Sequence, residues 1–307
     1  MANTLSGANS VNVSNSANFI PEIWSDEIVA AYKKNLVAAN LIKKMNFRGK
    51  KGDTVHIPAP VRGAASAKTA ENAVTLQAGS VNDIAVLIDK HYEYSRLIED
   101  IAEVQALTSM RQFYTDDAGY ALAKQVDTDL IRLGRGVNSG AGTAAYANAY
   151  IGGDGTTAYN SGTPNASALT DAAIRRSIQR LDDADVPMDG RFLVVPPSAR
   201  NTLMGIDRYT EQAFVGETGS GNTIRNGEIG NLYGIPVFVS SNADTATGSA
   251  RICLLAHKDF AVLVEQQGIR AQTQYKQEFL GTLFTSDTIY GVKELRDDAA
   301  VVLAVPA

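Results

Sequence analysis

Residues 62–80 consist almost entirely of small and polar side chains with no strong apolar period, yet two runs of alternating apolar residues flank them. The first run, opened by the turn signal Gly49-Lys-Lys-Gly-Asp53, carries Val55, Ile57, Ala59 and Val61 at every second position. The second returns through Ile84, Val86, Ile88, Tyr92 and Tyr94. A period of two is the mark of a strand. Pro58 and Pro60 have no N–H to give a ladder, so the first strand is expected to be irregular or at an edge. The pattern predicts a long antiparallel arm with a polar, small-residue tip. A projecting hairpin of this size buries little of itself and takes its stability from outside its own domain.

The rest of the chain is more ordinary. Residues 1–18 hold almost nothing to bury and read as a mobile arm. Phe19-Ile-Pro-Glu-Ile-Trp24 ends that arm, and Phe19 and the lone Trp24 are candidates for docking on a neighbouring subunit. Ile28, Ala31, Tyr32, Leu36 and Ala39 then recur at helical spacing, predicting a helix over Asp26–Lys44. A longer helical period runs from Leu97 to Leu133 without a proline and stops at Gly134-Arg-Gly136. Unbroken, it makes a rod of roughly 50 Å at ~1.5 Å per residue, long enough to be a structural spine. Residues 135–168, rich in Gly, Ala, Asn and Thr, are expected to be a long surface excursion.

Beyond it, Leu169–Ala184 reads as a helix with Thr170 as N-cap and Asp171 in the first turn. Phe192–Val195 reads as a short buried strand, and Pro196–Met204 as a helix with proline at its N-terminal edge. A Gly/Thr/Asn-rich loop over 215–227 precedes Gly234-Ile-Pro-Val-Phe-Val239, a strand entered through a glycine turn. Strands are expected at Ile252–Ala256, Phe260–Val264, Ile269–Tyr275, Phe279–Tyr290 and Ala299–Val305. The order predicts an α+β chain in which a helix-and-strand unit, roughly 169–250, is inserted between parts of a second unit.

Composition narrows the function. Hydrophobic residues at 45% and charged residues at 20% of 307 suit a folded chain of one elaborate or two modest domains. The single Cys253 closes no internal disulfide and supplies no thiolate cluster. No apolar run reaches the ~18 residues of a membrane span. Met1–Asn18 lacks the basic start and apolar stretch of a signal peptide, so a cytoplasmic chain is expected. A net charge of −5 argues against gripping nucleic acid, though not against surrounding it.

No phosphate loop, dinucleotide fingerprint or nucleophile elbow occurs. His56, His91 and His257 stand singly, without metal-ligand spacing. Asp182-Asp-Ala-Asp185 and Asp297-Asp298 read as solvated turns, although a cation-dependent hydrolase would have to use Asp182, Asp183 and Asp185. Asp127 and Asp129 lie two apart on the spine and do not face each other. No converging set of catalytic groups emerges, so neither enzymatic activity nor a cofactor is expected.

This order of elements resembles the major capsid proteins of tailed phages, the Hong Kong 97-like fold, over nearly the whole chain from Phe19. The resemblance implies an N-terminal arm over 1–30, a first piece of the peripheral P-domain over 31–51 and the extended hairpin, or E-loop, over 52–94. It implies P-domain again over 95–168, with the spine helix and its following loop, an apical A-domain over 169–250, and P-domain return strands over 251–307. Gly234-Ile-Pro-Val is a recurrent element of such proteins.

The resemblance also implies a self-assembling shell of hexamers and pentamers around double-stranded DNA, located in the virion capsid and assembled in the host cytoplasm. A portal would stand at one vertex. Because little precedes Phe19, scaffolding is expected from a separate protein. Phe19, Trp24, Arg62, Lys68 and Glu71 are the expected subunit contacts, the charged ones setting register more than affinity. Lys68 lies near the tip, but no Asn and Glu are placed beside it for the isopeptide weld that some relatives make. The alternative within the same fold is an encapsulin-like cellular nanocompartment shell.

Overall fold

The computed structural model describes residues 37–60, 81–101, 110–137, 146, 148–160, 162–206, 230–246 and 250–307, with positions 63, 65–68, 70, 71, 73, 74 and 76 between the first two stretches. Two sheets, one long helix and a two-stranded arm organise these residues. The larger sheet has six strands in the order β5-β12-β9-β6-β8-β7: Tyr150–Ile151, Ala300–Val305, Arg251–His257, Arg191–Val195, Ile235–Val239 and Asn231–Leu232. Its three central strands, β6, β9 and β12, are near-continuous apolar runs buried along almost their whole length. That is the pattern of strands covered on both faces.

Helix α3, Asp171–Asp183, turns Ala173, Ile174 and Leu181 into this core. It begins as the sequence suggests. The Thr170 hydroxyl accepts from the Ala173 N–H at 3.3 Å, and Asp171 sits in the first turn. Helix α4, Pro197–Met204, buries Ala199 and Leu203. Cys253 is fully buried among the sheet's apolar residues, and burial pushes its thiol well above the usual range.

The second sheet has the order β1-β10-β11-β4: Lys43–Asn46, Ala261–Lys276, Gly281–Glu294 and Lys90–Glu99. Helix α2, Met110–Arg132, runs 23 residues, roughly 35 Å. It contributes Leu130 and Ile131 to the same core as Phe260, Leu263 and Tyr290. Strands β2, Thr54–Pro60, and β3, Val81–Leu87, pair only with each other. The prolines of β2 thus lie in a strand with one free side.

Several sequence expectations change. Only Ala38–Leu41 of the expected Asp26–Lys44 helix is helical among the described residues; this is α1. Lys43–Asn46 instead pair in parallel with Val262–Glu265, where a ready strand edge takes their backbone groups. Leu97 belongs to β4 rather than the spine. The period-two burial that keeps Tyr92 and Tyr94 partly covered extends to Ile98, and Leu97 pairs with Leu283 across the ladder. Tyr92 and Tyr94 likewise lie in the second sheet and not in the arm.

The two strands expected at Phe260–Val264 and Ile269–Tyr275 are one, β10. It runs through Gly268 by register shifts at Glu265/Gln267 and Gln267/Arg270. Where it is described from Tyr146 on, 135–168 is no surface excursion. Tyr146, Ala149 and Tyr159 are buried and β5 joins the sheet, while Asp154 closes a turn through the Thr156 and Thr157 N–H groups. The six-stranded sheet also takes strands from both sides of the expected 250/251 boundary.

Candidate functional site

Two hairpins project apolar side chains that the subunit does not cover. The first is the β2–β3 arm. Val55 and Val86 root it by packing with Val262 and Val264 in a small core of their own. At Gly291 a Cβ would stand 2.2 Å from the Leu87 carbonyl oxygen, so the arm's root crosses β11 only because that residue has no side chain. His56 faces Asp83 across the exposed side of the ladder. Farther out, Val74 and Leu76 are 64% and 90% exposed.

The second projection is the distal end of β10, β11 and β4. The seven consecutive β10 residues Ile269–Tyr275 are all exposed, so this end of the strand hides neither face. The turn joining β10 to β11 carries Phe279 and Leu280, 60% and 66% exposed, beside Tyr275, whose hydroxyl donates to Asp100 at 2.7 Å. Leu280 adopts φ 44°, ψ 54°, the left-handed region that strains a side-chain-bearing residue.

Lys68 and Glu71 are exposed, and Glu71 also has a positive φ of 66°. Neither forms an ion pair with another described residue. Phe19, Trp24 and Arg62 lie outside the described residues. The signals missed in the sequence were small: Val74 and Leu76 alternate within a polar stretch, and Phe279-Leu280 places two large apolar residues at a strand turn.

Buried carboxylates anchor the parts that carry these projections. Asp127 accepts from the Val37 and Ala38 N–H groups at 3.0 and 2.7 Å and from the Asn242 amide at 2.9 Å. It ties the entry to α1, the spine and the loop after β8 together. Asp129, on another side of α2, accepts from Tyr290 at 2.8 Å and Gln125 at 3.1 Å and pairs with Lys90 at 3.1 Å. Burial first, and then Asp129, pushes the Tyr290 hydroxyl far above its ordinary range.

Asp244 is gripped by Arg135 at 2.6 and 3.0 Å and by Tyr146 at 2.7 Å. Burial favours its neutral form, but those hydrogen bonds outweigh burial and hold the carboxyl below the usual range. Arg270 does the same for Asp287 through contacts of 3.0 and 2.9 Å, aided by His91 and Gln267.

The groups singled out for chemistry do not converge. Asp182, expected in a solvated turn, pairs at 2.7 Å with Arg191, whose buried guanidinium also donates to the Val186 and Pro187 carbonyls. Asp298 is held by Arg296. His257 contacts the Asp189 carbonyl at 2.8 Å. Among the described residues no group of three His, Cys, Asp or Glu side chains is arranged to hold a metal ion, and no helix is long and apolar enough to cross a membrane.

The fold matches solved structures from phages along nearly the whole chain. A chain from Mycobacterium phage Che8 superposes with a TM-score of 0.74 at 25% identity, covering 93% of this chain and 97% of that one. The capsid of cyanophage P-SCSP1u gives 0.76 at 17% identity over 99% of each chain. The capsid asymmetric unit of cyanophage Pam1 gives 0.69 at 14%, over 100% of this chain and 99% of that one. No curated protein sequence matches. A family model described as phage capsid protein matches residues 96–304, more than half of the chain. On that match and that fold, the chain belongs to the phage capsid protein family, with the Hong Kong 97-like fold of tailed-phage major capsid proteins.

Proposed function

We propose that this subunit builds the icosahedral shell of a phage head, as hexamers and pentamers around double-stranded DNA. Its role is structural and not enzymatic. Assembly takes place in the host cytoplasm, with a separate scaffolding protein and a portal at one vertex. The observation that carries this reading is the pair of projections ending in uncovered apolar residues, Val74 and Leu76 on one and Phe279 and Leu280 on the other. Exposed apolar clusters on projecting elements mark contact sites. A shell gives each a place on a neighbour, and many modest interfaces repeated by symmetry close a stable lattice.

Within that shell Phe19, Trp24, Arg62, Lys68 and Glu71 act as further contacts of the N-terminal arm and the hairpin tip. The acidic balance fits a wall that encloses DNA without gripping it, since a gripping surface needs dense positive charge. The test replaces residues 64–78 by a short Gly-Ser turn. The truncated subunit is expected to keep its melting temperature, because the arm's root at Val55 and Val86 is untouched, and to lose closed particles in sedimentation. Particles forming at the normal rate without the tip would falsify its role as an inter-subunit clasp.

A further inference from the structure

The distal half of β10 is a strand edge left open. Strand β1 pairs with β10 only at Val262–Glu265, and beyond that point no other strand of the described residues lies on this side. Residues 269–275 are all exposed, Ile269 by 53% and Tyr275 by 48%. The ladder fixes which backbone groups face out. Just before β11 the Leu280 carbonyl accepts from the Asp100 N–H at 3.0 Å, and just after it the Leu295 N–H donates to the Phe260 carbonyl at 2.8 Å. Even-numbered residues of β11 therefore turn their backbone groups to β4 and odd-numbered ones to β10. Opposite Gly281, Leu283, Thr285 and Asp287 stand Lys276, Gln274, Gln272 and Arg270, which point inward. Ile269, Ala271, Thr273 and Tyr275 turn their N–H and C=O groups outward.

An open row of this kind is a template for another strand, and folded proteins blunt such edges with charge, proline or short length. This chain does so elsewhere. Pro58 and Pro60 interrupt β2, and β4, the opposite edge of the same sheet, carries exposed Glu93 and Glu99. On β10 the five residues from Ala271 to Tyr275 contain neither a charge nor a proline.

We propose that this edge pairs, antiparallel and across a two-fold axis at Gln272, with the same edge of a second copy of this chain. The strand is complementary to itself in that register. Ile269 stands opposite Tyr275 of the second copy and Ala271 opposite its Thr273, so every outward residue meets an outward residue. The exposed Ile269 and Tyr275 form an apolar–aromatic cross-strand pair at each end. Arg270 faces Gln274 and Gln272 faces its own equivalent, so no like charges meet. Moving the axis to Thr273 sets Arg270 against Lys276, and moving it to Ala271 drives Tyr275 onto the register shift at Gln267. The two four-stranded sheets then continue into one another. The second copy rests on the shell reading, whereas the open edge does not.

Across this axis the two Gln272 residues form a non-hydrogen-bonded pair with Cα atoms about 4.5 Å apart, a spacing that a disulfide spans. The two Gln274 residues lie roughly 13 Å apart at ~3.3 Å per residue. Gln272→Cys and Gln274→Cys are oxidised as concentrated subunit and as particles, Cys253 being buried. A covalent dimer is expected from the first and none from the second. No dimer from Gln272→Cys, or equal dimers from both, overturns the axis. Gln272→Lys and Gln272→Glu are each expected to cut particle yield alone and to restore it when mixed, because Lys then faces Glu. Normal yield from either charged variant alone overturns the pairing. Lost yield without rescue on mixing and without the Gln272→Cys dimer overturns the second β10 as occupant and assigns the edge to another segment. If the wild type forms no particles the shell reading fails, and the dimer in concentrated subunit decides the pairing.

Discussion

Asp127 illustrates how single side chains hold separate stretches of this chain together. Its carboxylate accepts two backbone N–H groups from residues 89 and 90 positions away and an amide 115 positions away. Asp127→Ala leaves those buried donors unmet, and a buried donor without an acceptor costs about 1–3 kcal/mol. We expect a loss of roughly 2–5 kcal/mol in urea unfolding, with Asp127→Asn losing less because one oxygen remains. A loss below ~1 kcal/mol in the alanine variant would mean that water replaces the carboxylate. The spacing of Asp127 and Asp129 already told that they point apart. Their partners were not legible, because hydrogen bonds across such separations leave no local pattern.

Glu294 gives the molecule a pH dependence near neutrality. Burial, and then Asp297, pushes its carboxyl up to about 7 from an ordinary 4.5. A pKa raised on folding stabilises the protein fully below about 4.5 and loses that contribution as pH rises through about 7. The melting temperature is therefore expected to fall between pH 5 and pH 8, and the slope is expected to flatten in Glu294→Gln. An unchanged slope in the variant would assign the dependence to other groups.

Among the elements, the spine depends most simply on the sequence. Leu122 is buried in the middle of α2, and Leu122→Pro removes one helix hydrogen bond and clashes with the preceding turn, costing about 3 kcal/mol or more. Soluble, melting-competent protein at wild-type yield would show that the second sheet folds without this helix. The helix was legible because no proline or glycine pair interrupts its period until Gly134. Its start was not. Leu97 and Ile101 fit a spacing of four, while Tyr92, Tyr94 and Ile98 fit a spacing of two, and the ladder to β11 decided between them. Neighbouring strands likewise took Lys43–Asn46 from a helical pattern and joined two apparent strands into β10. Each error arose where a long-range pairing overrode a local period.

At the scale of the whole molecule, the question is why a folded chain leaves Phe279 and Leu280 in water at the end of its longest strands. The sequence showed the β2–β3 arm as a projection because its tip lacks a strong apolar period, but it hid the β10–β11 end because strand runs with apolar residues look self-sufficient. Leu280 is both exposed and left-handed, so in the isolated subunit it combines an unburied side chain with backbone strain.

Glycine would remove the strain, about 1–2 kcal/mol for a left-handed residue, and lose about 0.4–1 kcal/mol through the greater freedom of the unfolded chain. Leu280→Gly should then leave the unassembled subunit as stable as before, or up to ~1.6 kcal/mol more stable. If the side chain is retained for a neighbour, the same change removes apolar burial at every copy of the contact, roughly 1.5–3 kcal/mol each. Particle yield should fall while the melting temperature of the free subunit holds or rises. A variant that assembles as well as the wild type would show that the strained leucine serves no contact between subunits, and a variant that melts lower would show that Leu280 packs within its own chain.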